Sequence, residues 1–355
     1  MTGTDVLATG HAVTPAVSMK GDGPHFRAHL VLMSPIESKR AHMMRNETSN
    51  GLDHEQRRLT ILRTAQAQAD ALQGTYRDTL TTFMSIPGAV PIPRAARALF
   101  WLGRLRQWQA IDLDHRDSRS AAPDWHSFQL GVIESMAGTH ALALHKEQWN
   151  GLNRRQAYAR EMSLQVAMLL ALDWRALAAF ALQAWFGISR RLPAQPPLCG
   201  MTGMIVGIAG TALGIPVPQS VFCRSDSLLG RLAEHWQDDD KTFAPLAGRL
   251  IERRLARRGR KGGASHSDFD HPVEQAIPVE ILMLLRLRGL NQVPGWLAKH
   301  RALSHPAAAL VHANTPALSR RSIGFVERVD RLLPRYRGLI WALDSQAEIL
   351  RNAAT

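Results

Sequence analysis

Apolar positions along this chain recur at spacings of three and four rather than two, so the elements they predict are helices. From Glu55 to about Ser85 the series Leu59, Leu62, Gln66, Ala69, Leu72, Tyr76, Leu80 and Phe83 falls on one helical face. Ile86-Pro87-Gly88 ends that helix, and Pro87 to Pro93 reads as a short stiff linker. A basic amphipathic helix is expected over Arg94 to Gln109. Leu99, Leu102, Leu105 and Trp108 mark its apolar side, and Arg94, Arg97, Arg104 and Arg106 carry charge. The polar run Asp112 to Asp124 is a loop, and helices are expected over Trp125–Trp149 and Arg154–Leu172.

Turn chemistry divides the remainder. Asp173 suits the N-cap of a helix ending at Gly187, and Ser225 or Asp226 suits the start of one over Leu228 to Trp236. Pro245 fits the first turn of a helix that stops by Gly259. Pro278 and Gly289 bracket Val279 to Arg288, which is apolar on every side. That segment is expected at the centre of the core, where Glu280 would need a buried partner or a helix N-terminus. Two helices, Ser322 to Leu333 and Tyr336 to Arg351, close the chain around Pro334. No solenoid-period repeat is visible. The expected fold is all-α, a multi-helix bundle or irregular helical array with one core and no significant sheet. Residues 1–32 show no secretory pattern, and 1–50 are expected to be a disordered or poorly ordered tail, followed by helical regions over 55–150 and 151–355.

Leu198 to Val217 strains this picture, with no charged side chain over 20 residues. Gly200, Gly203, Gly207, Gly210 and Gly214 would line one helical face, at about 1 kcal/mol each in an isolated helix. Tight burial between helices would compensate, and so would a membrane; an apolar loop is the third reading. In the stretch before it, Asp173 and Arg175 speak against a membrane hairpin.

Composition adds charge to this outline. With 355 residues, 45% of them apolar, the chain can bury a substantial core. The 43 Lys and Arg against 30 Asp and Glu leave a net charge of +13. Such a surplus suits nucleic acid, an acidic protein or an anionic membrane face, and it equally serves solubility. Cys199 and Cys223 form neither a disulfide framework nor a zinc spacing. No nucleophile elbow, phosphate-binding loop, dinucleotide fingerprint or zinc-protease motif is present, so no enzyme and no cofactor is expected.

Four charged clusters remain. His266, Asp268, Asp270 and His271, and likewise Asp112, Asp114 and His115, have metal-ligand types but sit in polar loop sequence, and no metal site is assigned to them. Arg253, Arg254, Arg257, Arg258, Arg260 and Lys261 form the densest positive run. Arg253, Arg257 and Lys261 would share a face able to track phosphates, which makes Arg253, Arg254, Arg257, Arg258 and Lys261 candidate anion-binding residues. The acidic counterpart is Glu234 with Asp238, Asp239 and Asp240, the candidate surface for a basic protein partner.

Over residues 158–290 the order of elements resembles the PoNi-like family, immunity proteins that neutralise polymorphic-toxin nucleases in bacteria. Tyr158-Ala-Arg-Glu161-Met-Ser163-Leu164 leading into Leu169-Leu170-Ala-Leu-Asp173 is similar to that family's Tyr…Ser-Leu…Leu-Leu-Gly helix. Asp226-Ser-Leu228-Leu229, Ala244-Pro245-Leu246 and Pro278-Val279-Glu280-Ile281-Leu282 are similar to the elements that follow. The chain departs from the family in a longer stretch between Asp173 and Asp226, in Val279 where an aromatic is usual, and in its positive charge. The resemblance implies a helical, cytoplasmic binding protein whose partner is a cognate toxin. A membrane-associated protein using 198–217, aided by the Arg94–Gln109 helix, is the alternative reading. A nucleic-acid-binding protein using 253–261 is the further one.

Overall fold

In the computed structural model the described residues are 71–111, 123–148, 156–187, 198–217, 227–257, 272–303, 307–311 and 315–354, all within the compact unit Asn50–Thr355. The tail expected over 1–50, the helix before residue 71 and most of the Asp112–Asp124 loop lie outside them.

Among the described residues every regular element is helical and there is no strand. The order is α1 (71–85), α2 (Ile92–Ile111), α3 (Trp125–Gln148), α4 (Gln156–Ala171), α5 (Arg175–Phe186), α6 (Gly200–Leu213) and α7 (Leu228–His235). There follow α8 (Asp240–Arg257), α9 (Pro272–Ala276), α10 (Val279–Leu287), α11 (Gly295–Ala298), α12 (Arg320–Leu332) and α13 (Arg337–Ala354). Short 3-10 turns sit at Arg301–Leu303 and Pro334–Tyr336.

The core is one cluster, with α4 at its hub, packed against α3, α5, α6 and α10. From Met162 to Leu172 every residue of α4 and its exit is buried, and so is every residue of α10 from Val279 to Arg286. The central placement expected for Val279–Leu285 therefore holds. The 55–150 and 151–355 regions share this core, since Arg104 on α2 is paired with Glu161 on α4 and Glu274 on α9.

The tightest contact joins α2 to α3. A Cβ on Gly103 would stand 2.5 Å from the Gly131 carbonyl oxygen, and one on Gly138 would stand 2.5 Å from that of Ala96. Only a missing side chain lets the two backbones approach this closely. Leu99, Leu102 and Trp108 are buried as expected, but so are Arg104 and Gln107. The basic amphipathic helix is thus largely interior on its C-terminal half, where acids on other helices meet Arg104 and Arg106, while Arg94 stays exposed.

Leu198–Val217 resolves into the buried-helix reading. Helix α6 packs against α4, α5 and α7. Its 14 residues span about 21 Å, short of a hydrocarbon core of about 30 Å. Among the described residues no helix is long and apolar enough to cross a membrane. The reading of 198–217 as a span is corrected accordingly. Gly200 and Gly214 lie at its ends with φ of +62° and +65°, so they serve the chain reversals there.

Three capping expectations are also corrected. Asp173 does not cap α5; it sits at φ +57° as the left-handed exit of α4, where Trp174 N–H donates to Leu169 O and Asp173 N–H to Leu170 O. Ser227 caps α7, accepting from Gly230 N–H at 3.0 Å. Pro245 lies inside α8 rather than in its first turn, at an exposed position.

Candidate functional site

Helix α8 carries both charged candidates, one at each end. At its N-terminus the acidic residues crowd the turn from α7. Asp239 caps α8, its Oδ1 accepting from Thr242 N–H at 3.0 Å. Asp238 Oδ2 lies 2.9 Å from His235 Nδ1. Arg288, just after α10, reaches beneath the turn. It donates to Trp236 O at 2.7 Å, to Asp238 O at 2.6 Å and to Asp240 Oδ1 at 2.8 Å, and its guanidinium stacks over the Phe243 ring at 4.2 Å. Glu234, Asp238, Asp239 and Asp240 are nonetheless all exposed, with Arg231 and Lys241 flanking them. The backbone of this corner is fixed while its carboxylates face solvent.

At the other end Arg254 points inward and is 0% exposed. Its Nη1 donates to both Glu280 oxygens at 2.6 and 2.7 Å, and its Nη2 to Ile277 O at 3.1 Å. This pair answers the need for a buried partner at Glu280, and it corrects the assignment of Arg254 to an anion-binding face. Leaving either charge alone there would cost several kcal/mol, so each residue accounts for the other. Arg253 is half-buried, and the side chains of Arg257, Arg258 and Lys261 lie outside the described residues.

A second buried network is built on Arg104. Its guanidinium contacts Glu274 at 2.5 Å, Glu161 at 3.2 Å and Gln107 Oε1 at 3.1 Å. Gln107 in turn donates to Gly131 O and Ser135 Oγ. Burial opposes the Arg104 charge, but Glu274 and Glu161 outweigh it and hold the pKa above its ordinary value. His140 is the contrasting case. Buried between Phe180 and Tyr336, its ring nitrogens have no hydrogen-bond partner among the described residues. Burial, with a smaller contribution from Arg335, pushes its pKa down to about 3, so it is neutral at physiological pH.

A cleft that the sequence did not single out lies between α1, α2, the start of α3 and α12, with Arg77, Arg106 and Arg321 on its walls. Among the described residues no group of three His, Cys, Asp or Glu side chains is placed to hold a metal ion. The clusters at Asp112–His115 and His266–His271 lie outside the described residues. No family model matches this chain, and no curated protein or solved structure matches it either.

Proposed function

We propose that this chain is an immunity-type binding protein that neutralises a cognate bacterial toxin by direct contact, without chemistry of its own. The observation that carries the reading is the corner between α7 and α8. There Glu234, Asp238, Asp239 and Asp240 face solvent from a turn that Arg288 and the α8 cap hold in place. In a chain of net charge +13, a fixed acidic edge is a local reversal of sign, and it complements a toxin with a basic, phosphate-binding groove. A preorganised edge also loses little conformational freedom on association. The resemblance to PoNi-like immunity proteins over residues 158–290 supports the same reading, since its segments fall on α4, α7, α8 and α10. The nucleic-acid reading is weakened by Arg254, whose charge is spent on Glu280.

The test is co-expression with the product of a toxin gene adjacent to the gene for this chain. Growth should be rescued by the native protein, and the paired substitution Glu234→Lys and Asp238→Lys should weaken rescue while far-UV circular dichroism stays unchanged. Asp239 and Asp240 are left intact because one caps α8 and the other holds Arg288. Full rescue by the paired variant removes the acidic corner from the account, and absence of any toxic neighbour removes the immunity reading.

A further inference from the structure

The cleft between α1, α2, the start of α3 and α12 encloses about 280 Å³, and its polar lining includes Gln73, Arg77, Arg106, Asp124, Ser127 and Arg321. Its cations come from three separate helices: Arg77 from α1, Arg106 from α2 and Arg321 from α12. The acids present are already engaged. Glu134 is fully buried, with Oε2 at 3.0 Å from Arg106 Nε and Oε1 accepting from Ser319 Oγ at 2.5 Å. Asp124 is turned onto the first turn of α3, accepting from Ser127 N–H at 3.0 Å, and that bonding holds its pKa below the ordinary carboxylate value.

The cations are less well matched. An arginine offers five N–H donors, and among the described residues the ion pair of Arg106 is made through Nε, not through its terminal nitrogens. Among the described residues neither Arg77 nor Arg321 is hydrogen-bonded or ion-paired to a carboxylate. Burial, chiefly, holds the Arg321 pKa below its ordinary value; Glu134 opposes this, and the nearby positive charges of Arg106 and Arg77 add to it. Among the described residues Glu134, paired with Arg106, offsets part of this charge, but three guanidiniums still face the cleft, an arrangement suited to a bound anion.

We propose that this cleft binds a phosphate group, as the free ion or at the end of a small molecule, with Arg77, Arg106 and Arg321 sharing its oxygens. A phosphate group offers three terminal oxygens to donors arriving from three directions, whereas a carboxylate offers two in one plane. Planar guanidiniums are the side chains best suited to such an oxyanion. The site stands apart from the acidic corner, so it does not depend on the immunity reading.

The experiment is calorimetric titration of the full chain at low salt with inorganic phosphate, phenyl phosphate and acetate. Saturable binding of phosphate or its ester is expected, with acetate much weaker. Tighter binding of phenyl phosphate than of inorganic phosphate identifies an ester as the ligand, and the reverse order identifies the free ion. Arg77→Gln and Arg321→Gln should each weaken binding about tenfold, the worth of one charge-assisted hydrogen bond. Arg77 is exposed, so its variant should fold normally and keeps the test open if Arg321→Gln does not. Arg106 is left in place because removing it would strand the buried Glu134. No saturable phosphate binding, equal binding of acetate, or phosphate binding that both variants retain would overturn the proposal, the last revealing ions gathered loosely by a +13 surface.

Discussion

The two ends of α8 hold the same kinds of charge under opposite conditions. At the N-terminal end the Asp240 side chain is 68% exposed although it touches Arg288; at the C-terminal end the Arg254 side chain is 0% exposed against Glu280. Water screens Asp240 in the first pair, so this ion pair adds little to stability and the Asp240 carboxylate stays available to a partner, while Arg288 holds the turn through its backbone contacts. The second pair has no water to fall back on, and its two charges are bound to each other's fate. Exposure, rather than the number of charges in a run, separates a surface that can recognise from a contact that holds the core.

The sharpest way to break this contrast is to remove one member of the buried pair. Glu280→Ala should cost about 3–5 kcal/mol, measured by urea unfolding, because Arg254 would be left charged and unpaired. Replacing both together, Arg254→Met with Glu280→Leu, should recover most of that loss. A double variant as unstable as the single one would mean that the pair's geometry, rather than its charge balance, holds this part of the core.

His140 extends the contrast to pH. Its folded pKa of about 3 lies below the ordinary value of 6.5, so as pH falls below 6.5 the unfolded chain takes up a proton that the folded chain refuses. Stability from this group is therefore complete above pH 6.5 and declines as the pH approaches 3, by about 2 kcal/mol between pH 6.5 and 5. His140→Phe should flatten that part of the stability profile relative to the native chain. An identical pH dependence in the two proteins would mean that the ring is hydrated or already paired.

At the exposed end the effects should be smaller. Asp239→Ala removes the α8 cap and should cost about 1 kcal/mol. Glu234→Lys and Asp238→Lys, away from the cap, should each stay within about 0.5 kcal/mol. A loss above 2 kcal/mol from either, read by thermal unfolding, would mean that the corner is structural rather than free for a partner.

Much of this was legible in the sequence where the signal is local. Leu72, Tyr76, Leu80 and Phe83 do share the inward face of α1, and Gly289 does end the α10 turn at φ +78°. The inward turn of Arg254 was missed, because the basic run was read by its charge and not by its place on the helix. Phe243, Ala247, Leu250, Ile251 and Arg254 continue one buried stripe, whereas Arg253 sits a step around the helix. What misled was regularity without context. The evenly spaced glycines of α6 invited a close-approach reading, yet two of them serve its ends and Gly210 lies against Val217 of its own exit. The backbone contact of Gly103, Gly131 and Gly138 went unread, because each glycine looks unremarkable until the partner helix is known. The Arg77, Arg106 and Arg321 cleft was beyond reach for the same reason, its cations being brought together only by tertiary packing.

Recognition of a basic toxin by the exposed end of α8 should be visible in the association kinetics between the purified chain and the purified toxin. Charges at an interface rim act mainly on the association rate and are screened by salt. With Glu234→Lys and Asp238→Lys together, the association rate should fall about tenfold or more at low ionic strength and converge on the native rate at high salt. Native and variant proteins associating at the same rate in low salt would mean that the acidic corner takes no part in recognition.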